Sequence, residues 1–311
     1  MGESSKSSLV MNLSPDFVKN IRQSFSLDGE KWLADLPNLL AMASRRWDLE
    51  LGESLLLSYN YVCAATLKNG IEAVLKIGVP NRELTSEINT LHLYNGKGAC
   101  RLLEADAEKG MLLLERLRPG TMLATLKDDD QATGIAADVM KKIHPPALQQ
   151  DSFLSLRGWF DELKKLRPLF GGGTGPFPEK TFATVENLIR DLFAEDGPQL
   201  LLHGDFHHFN ILLSERGWLV IDPKGVMGPA EYEVGPLLIN PYNIMPTEME
   251  AVRRTQRRIA ILTERLGFDP QRLRAWAICH SVLSSIWDMA EDGSGVESVR
   301  AWTEIFLKTR V

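Results

Sequence analysis

The sequence predicts an α+β chain of two lobes, a small lobe of sheet plus helix followed by a larger, mostly helical one. Three observations lead there. The hydrophobic period changes from helical to strand-like after Arg46. Asn69-Gly70 joins two strand-like runs as a tight hairpin, because both residues tolerate positive φ. Pro119-Gly120 then closes this region with a turn, and helical spacing dominates the rest. With 311 residues, 44% of them apolar, the chain can fill two lobes around a cleft. The boundary is placed so that residues 1–117 form the smaller lobe with a helical N-terminal extension, and residues 118–311 the larger.

The elements follow in order. Ser14-Pro15-Asp16 reads as a helix start, with Phe17, Ile21 and Phe25 at helical spacing, and a second helix covers Leu36 to Arg46. Leu55–Leu57, Val62–Leu67 and Ile71–Ile77 read as strands. Alternation in the third puts Glu72, Val74 and Lys76 on one face and Ile71, Ala73 and Leu75 on the other. Arg82 to Tyr94 is a helix carrying Glu83 and Glu87, and Met111–Leu114 is a short buried strand. Beyond the boundary, helices are expected over 131–143, 153–167, 179–194, 247–266, 270–291 and 296–308. One hairpin interrupts them, Ile211–Leu213 returning as Leu219–Ile221 through Glu215-Arg216-Gly217.

A net charge of −6 gives no footprint for nucleic acid and suits a cationic small molecule if the acids gather locally. Cys63, Cys100 and Cys279 are scattered and form no C-x-x-C pair, so neither disulfides nor zinc are indicated. No signal core and no run long enough for a membrane span is present, so a soluble, cytoplasmic chain is expected.

The chemistry gathers in His203-Gly204-Asp205-Phe206-His207-His208-Phe209-Asn210. Asp205 and Asn210 stand at the D-x4-N spacing of a kinase catalytic loop, where Asp takes the hydroxyl proton and Asn offers an oxygen to magnesium. Asp222 follows the hairpin, whose return brings it beside Asn210 as a second hard oxygen ligand. His203 reads as a residue that positions backbone, and His207 and His208 as loop structure, since magnesium prefers oxygen. Lys76 and Glu87, taken singly, read as a strand lysine and a helix-surface acid. Together they match the strand Lys and helix Glu that orient nucleotide phosphates in kinases, with Glu83 as the rival partner.

His203-Gly204-Asp205-x-His207-x-x-Asn210, with Ile221-Asp222 after it and Ala73-Val74-Leu75-Lys76 before it, resembles the aminoglycoside phosphotransferase family. Ser58-Tyr59-Asn60-Tyr61-Val62, Leu112 to Leu117 and Asp222-Pro223-Lys224-Gly225 extend the resemblance to its streptomycin 6-phosphotransferase branch, grouped with aminoglycoside and hydroxyurea resistance kinases.

The resemblance implies a bilobal protein-kinase-like fold and transfer of the γ-phosphate of ATP to a hydroxyl of an aminoglycoside, streptomycin above all. It implies Asp205 as catalytic base, Asn210 and Asp222 as magnesium ligands, Lys76 on the α/β-phosphates with Glu87 as its partner, and Glu115, Arg116 and Leu117 as the hinge facing adenine. There is no G-x-G-x-x-G loop, so phosphate contact falls to backbone amides or to the Ser58 and Asn60 side chains. A polycationic acceptor calls for acids on the helical lobe, and Asp288 and Glu291, with Trp287, and Glu231 and Glu233 after the metal loop, are the candidates. A kinase of another small metabolite or of hydroxyurea, and a nucleotide-binding pseudokinase, are the alternatives.

Overall fold

The computed structural model describes residues 13–55, 57–145, 152–194, 197–241, 247–291, 293 and 296–311. It divides into two compact units, Met1–Leu84 with Leu103–Arg116, and Thr85–Leu102 with Leu117–Val311. The last division falls at Arg116/Leu117, while the segment Thr85–Leu102, which the sequence reading kept with the first lobe, belongs to the second unit. Side-chain bonds explain this: Ser86 donates to the Gly225 carbonyl, and Arg216 donates to the carbonyls of Gly96 and Ala99.

In the first unit, helix α1 (Pro15–Arg46) precedes the strands β1 (Leu49–Ser54), β2 (Tyr61–Leu67) and β3 (Glu72–Ile77). Helix α2 (Arg82–Tyr94) then passes into the second unit, and β4 (Leu102–Asp106) and β5 (Met111–Glu115) return to the first. The sheet order is β1-β2-β3-β5-β4. Ser14 caps α1 by accepting from Phe17 N–H. Phe17, Ile21, Trp32, Leu36 and Leu39 of α1 share one core with Cys63, Ala65, Leu75, Ile77, Met111 and Leu113 of the sheet.

Two expectations change here. The two expected N-terminal helices are present, but the break between them falls at the non-helical Ser26 (φ 47°), so the second helical stretch begins well before Leu36. The first strand is Leu49–Ser54 rather than Leu55–Leu57: it is an edge strand with only Leu49 buried, so its apolar signal is weak, whereas Leu55 is exposed and Leu56 lies outside the described residues.

The second unit contains β6 (Pro119–Met122), α3 (Asp129–Met140), β7 (Leu154–Ser155), α4 (Leu156–Phe160), α5 (Leu166–Leu169) and α6 (Glu179–Ala194). After these come β8 (Leu200–Leu202), β9 (Ile211–Ser214), β10 (Gly217–Val220), β11 (Val226–Gly228) and α7 (Val234–Ile239). Three long helices, α8 (Glu248–Leu266), α9 (Pro270–Glu291) and α10 (Val296–Lys308), complete it. The starts of the last four predicted helices agree within a residue, and α8 begins at a capping box between Thr247 and Glu250.

The helix expected over 153–167 is instead broken. Leu154 pairs with Val226, Ser155 caps a new start by accepting from Gly158 N–H, and a 3-10 turn over Asp161–Lys165 separates α4 from α5. Tertiary pairing of Leu154 overrides the local period. Trp276, Trp302, Tyr232 and Phe182 anchor the core of this unit. No helix among the described residues is long and apolar enough to cross a membrane.

Candidate active site

Two short strand pairs close a circuit around the predicted motif. β8 pairs antiparallel with β11, Leu202 opposite Val226, and β9 pairs with β10, Ile211 opposite Val220. The loops 203–210 and 221–225 are therefore tied at both ends and lie side by side. Cross-bonds fix their register: Ile221 N–H donates to Asn210 O at 3.0 Å, and Lys224 N–H to His203 O at 2.7 Å. Hairpin register thus bonds Ile221, the residue before Asp222, to Asn210. β10 itself ends at Val220, and Asp222 sits beyond it at φ 61°, a left-handed backbone uncommon outside glycine.

His203 is fully buried and uses both ring nitrogens. Nε2 lies 2.8 Å from the Ile221 carbonyl, and Nδ1 accepts from Asp205 N–H at 3.2 Å, which fixes the proton on Nε2. Burial lowers its pKa, so the ring stays neutral. His203 is the backbone-positioning residue that the sequence predicted.

His207 has a larger role than the loop structure expected of it. Its Nδ1 accepts from Phe209 N–H, which leaves Nε2 to face Asp205 Oδ1 at 3.3 Å. Asn210 Nδ2 donates to the Asp205 carbonyl at 3.0 Å and reaches Oδ2 at 3.3 Å, so Oδ1 is the atom Asn210 has for a metal. The Asp205 side chain is 39% exposed. Burial alone would raise its pKa, but His207 at its Oδ1 and then the Lys224 ammonium outweigh this and hold the carboxyl well below the usual carboxylate range.

Beneath the loop lies a residue whose role the sequence did not reveal. Glu233 is fully buried, and its carboxyl oxygens accept the backbone N–H groups of His203 and, at 3.1 Å, Gly204. His144 Nε2 stands 3.4 Å from the same carboxyl. Glu233 therefore braces the loop from below and is no acid of an open acceptor pocket. The signal was absent because a lone Glu between Tyr232 and Val234 has no periodic or motif context.

Gly204, at φ 84°, is required on two counts: a Cβ there would lie 2.9 Å from the Trp159 ring and 3.0 Å from Val226. Gly225, at φ 68°, would drive a Cβ to 2.0 Å from Thr90 Oγ1. This close approach seats the α2 segment that bears Glu87 on the loop after Asp222. Glu87 is itself buried.

The remaining predicted residues are placed as follows. In the first unit, Lys76 is 4% exposed and lies between Val62 and Leu112 in the sheet, on the face opposite Leu75. Ser58 and Asn60 lie in the turn between β1 and β2, where Ser58 O accepts from Asn20 and Asn60 Oδ1 crowds Gly78. Glu115 ends β5, and Arg116 and Leu117 span the division between the units.

In the second unit, Glu231 is ion-paired with Arg272 at 3.2 Å, which occupies its carboxylate. Trp287 is nearer the chemistry than expected of a helix-end residue: it meets Trp159 edge-on at 5.2 Å, and Trp159 is the ring that packs on Gly204. Trp159 itself was not singled out from the sequence. Asp288 follows on α9, half-buried. The side chain of Glu291 lies outside the described residues.

Among the described residues, no group of three or more His, Cys, Asp or Glu could hold a metal. Asn210 and Asp222 offer a pair of oxygen donors, which suits a magnesium ion that keeps waters and phosphate oxygens as its other ligands.

The chain has recognisable relatives. A family model described as aminoglycoside/hydroxyurea antibiotic resistance kinase matches residues 53–293. The chain is 30% identical to the streptomycin 6-kinase of Streptomyces glaucescens over 294 residues, covering 92% of this chain and 94% of that one. It is also 30% identical to the streptomycin 3''-kinase of Klebsiella pneumoniae over 250 residues, covering 78% and 89%. Among solved structures, choline kinase LicA from Streptococcus pneumoniae superposes with a TM-score of 0.62 at 16% identity, covering 87% of this chain and 99% of that one. At that identity the likeness concerns the fold, which is that of the protein-kinase-like small-molecule kinases.

Proposed function

The chain belongs to the aminoglycoside/hydroxyurea antibiotic resistance kinase family, and on that premise we propose that it transfers the γ-phosphate of ATP to the 6-hydroxyl of streptomycin or a close relative, with Asp205 as the base. That it is a phosphotransferase acting on a hydroxyl follows from the family itself. The acceptor, the hydroxyl and the residue roles are the proposal.

The observation that carries it is the Asp205–His207–Asn210 network, fixed between two strand pairs and braced by Glu233. Phosphoryl transfer needs positioning and charge stabilisation more than covalent chemistry. A carboxylate held at low pKa stays charged and accepts a hydrogen bond from the acceptor hydroxyl without being strongly basic. Asn210 and Asp222 hold magnesium, which when bound neutralises phosphate charge. Lys76, with Glu87 as its partner, serves the α/β-phosphates; Ser58 and Asn60 the phosphate turn; and Glu115, Arg116 and Leu117 the adenine. In this reading residues 1–117 carry the nucleotide and residues 118–311 the chemistry and the acceptor.

For the polycationic acceptor, Trp287, edge-on to Trp159, supplies an aromatic ring, and Asp288, the next residue on α9, an acid. Glu231 contributes only where its bond to Arg272 opens. Glu291 completes the acidic set.

Two relatives of equal identity are named for different hydroxyls of streptomycin, so the acceptor position is a matter for product analysis. Purified enzyme is offered ATP and magnesium with streptomycin, other aminoglycosides, hydroxyurea and simple sugars, and the product is mapped by NMR. Consumption of ATP with streptomycin and a 6-phosphate product supports the reading. Turnover with hydroxyurea or a sugar alone replaces the acceptor, and no turnover with any of them favours a pseudokinase.

A further inference from the structure

Beside His208 of the catalytic loop, between the 3-10 turn Leu123–Thr125, the start of α3 and helix α8, lies a cavity of about 370 Å³. Its walls include Leu123, Lys127, Asp129, His208, Arg254 and Arg258. The charges in it are unequally satisfied. Arg258 is 1% exposed and fully engaged, with Nε and Nη2 on Asp129 and Nη1 on the carbonyls of Leu237 and Asn240. Asp129, the one carboxylate among the lining residues, is thereby neutralised.

Arg254 is different. Its Nη2 is buried with no acceptor among the described residues, and its guanidinium lies over the Trp302 ring at 5.2 Å. His208 is 3% exposed, and neither ring nitrogen has a partner among the described residues. Lys127 stands exposed at the rim. A buried guanidinium nitrogen and a buried imidazole without protein partners are costly features that a folded protein satisfies with ordered water, an ion or another bound group. With Lys127, Arg254 and Arg258 against Asp129 alone, a complementary group carries negative charge.

We propose that this cavity binds a small oxyanion, a phosphate or carboxylate group, with Arg254 as its ion partner, His208 as a hydrogen-bond donor and Lys127 at the rim. The volume falls in the range of small-ligand sites, about 300–1,000 Å³, so the oxyanion can belong to a small metabolite. Asp205, Asn210 and Asp222 are not among its lining residues. The cavity is nonetheless coupled to the catalytic loop, because His208 follows His207, which contacts Asp205, and the His208 carbonyl accepts from Ala124 N–H at 3.1 Å. An occupant bonded to His208 braces the loop at a point other than the Glu233 contacts to His203 and Gly204. This holds whichever acceptor the enzyme phosphorylates.

The test uses the full chain saturated with a non-hydrolysable ATP analogue and magnesium, so that phosphate positions on the catalytic face are filled. Inorganic phosphate and citrate are titrated against a chloride control, reading the melting temperature and the imidazole nitrogen shifts of His208. The expected result is a saturable rise with at least one oxyanion, a shifted His208 signal, and affinity weakened about tenfold in Arg254→Gln. Phosphate alone points to phosphate esters and citrate alone to carboxylates. If Arg254→Gln fails to fold, the exposed Lys127→Gln must weaken the same titration. No saturable effect on the wild type, or unchanged affinity in whichever variant folds, overturns the proposal.

Discussion

Replacing Glu233 tests the bracing of the catalytic loop most directly. Its carboxyl group accepts two backbone N–H groups, those of His203 and Gly204, in a fully buried setting. Glu233→Ala leaves both donors unpaired, and at about 1–3 kcal/mol for each buried unsatisfied donor the loss is roughly 2–6 kcal/mol. That is a large part of the stability of an ordinary domain, so this variant is expected to fold poorly. Glu233→Gln is the informative one. It retains one accepting oxygen and turns an amide N–H against the other donor, which costs roughly 1–3 kcal/mol.

Because Gly204 immediately precedes Asp205, the loop shifts where the reacting hydroxyl is held. A displacement near 1 Å lowers kcat by about 10²-fold. Nucleotide affinity stays near wild type, since no role toward nucleotide is assigned to Glu233. Urea denaturation gives the stability change, and steady-state kinetics with streptomycin gives kcat. A Glu233→Gln enzyme with wild-type kcat and wild-type stability refutes the bracing role.

Other outcomes are expected together. Asp205→Asn lowers kcat by about 10²-fold or more while nucleotide still binds, and near-normal turnover removes Asp205 as the base. Asp222→Ala abolishes the magnesium dependence of nucleotide binding; an unchanged magnesium titration contradicts its assignment. Stability itself depends on pH through buried neutral histidines. Burial lowers the pKa of His203, of His280 to about 4 and of His208 to about 3, from an ordinary 6.5. Below 6.5 the unfolded chain binds protons that the folded one refuses. Stability is therefore full above that pH and falls as the solution is acidified, by up to about 1.4 kcal/mol per pH unit for each such group, levelling for His280 near about 4. Urea midpoints that do not fall between about pH 7 and about pH 5 contradict this. Trp287→Ala raises KM for the acceptor more than it lowers kcat if its ring faces the substrate, and an unchanged KM leaves Trp287 as core packing.

Much of the second unit was legible because its signals are local. The helices over 179–194, 270–291 and 296–308 carry clear periods, and the hairpin register follows from turn residues. Elements held by distant partners were not legible. β8 and β11 are three residues each, and Leu154 enters a strand only because Val226 is there to pair with it. β1 was displaced by the more apolar Leu55–Leu57, since hydrophobicity marks burial and an edge strand has little.

The sequence by itself determined which residues are assigned the chemistry. Asp205, Asn210 and Asp222 lie within one loop and one hairpin, and short-range spacing fixes their neighbourhood. Tertiary structure decided what holds and surrounds them: Glu233 under the loop, Trp159 against Gly204, and Arg258 reaching back to Asp129. These contacts join residues dozens to more than a hundred positions apart. They are selected by packing and by the need to satisfy buried polar groups, and neither leaves a period in the chain.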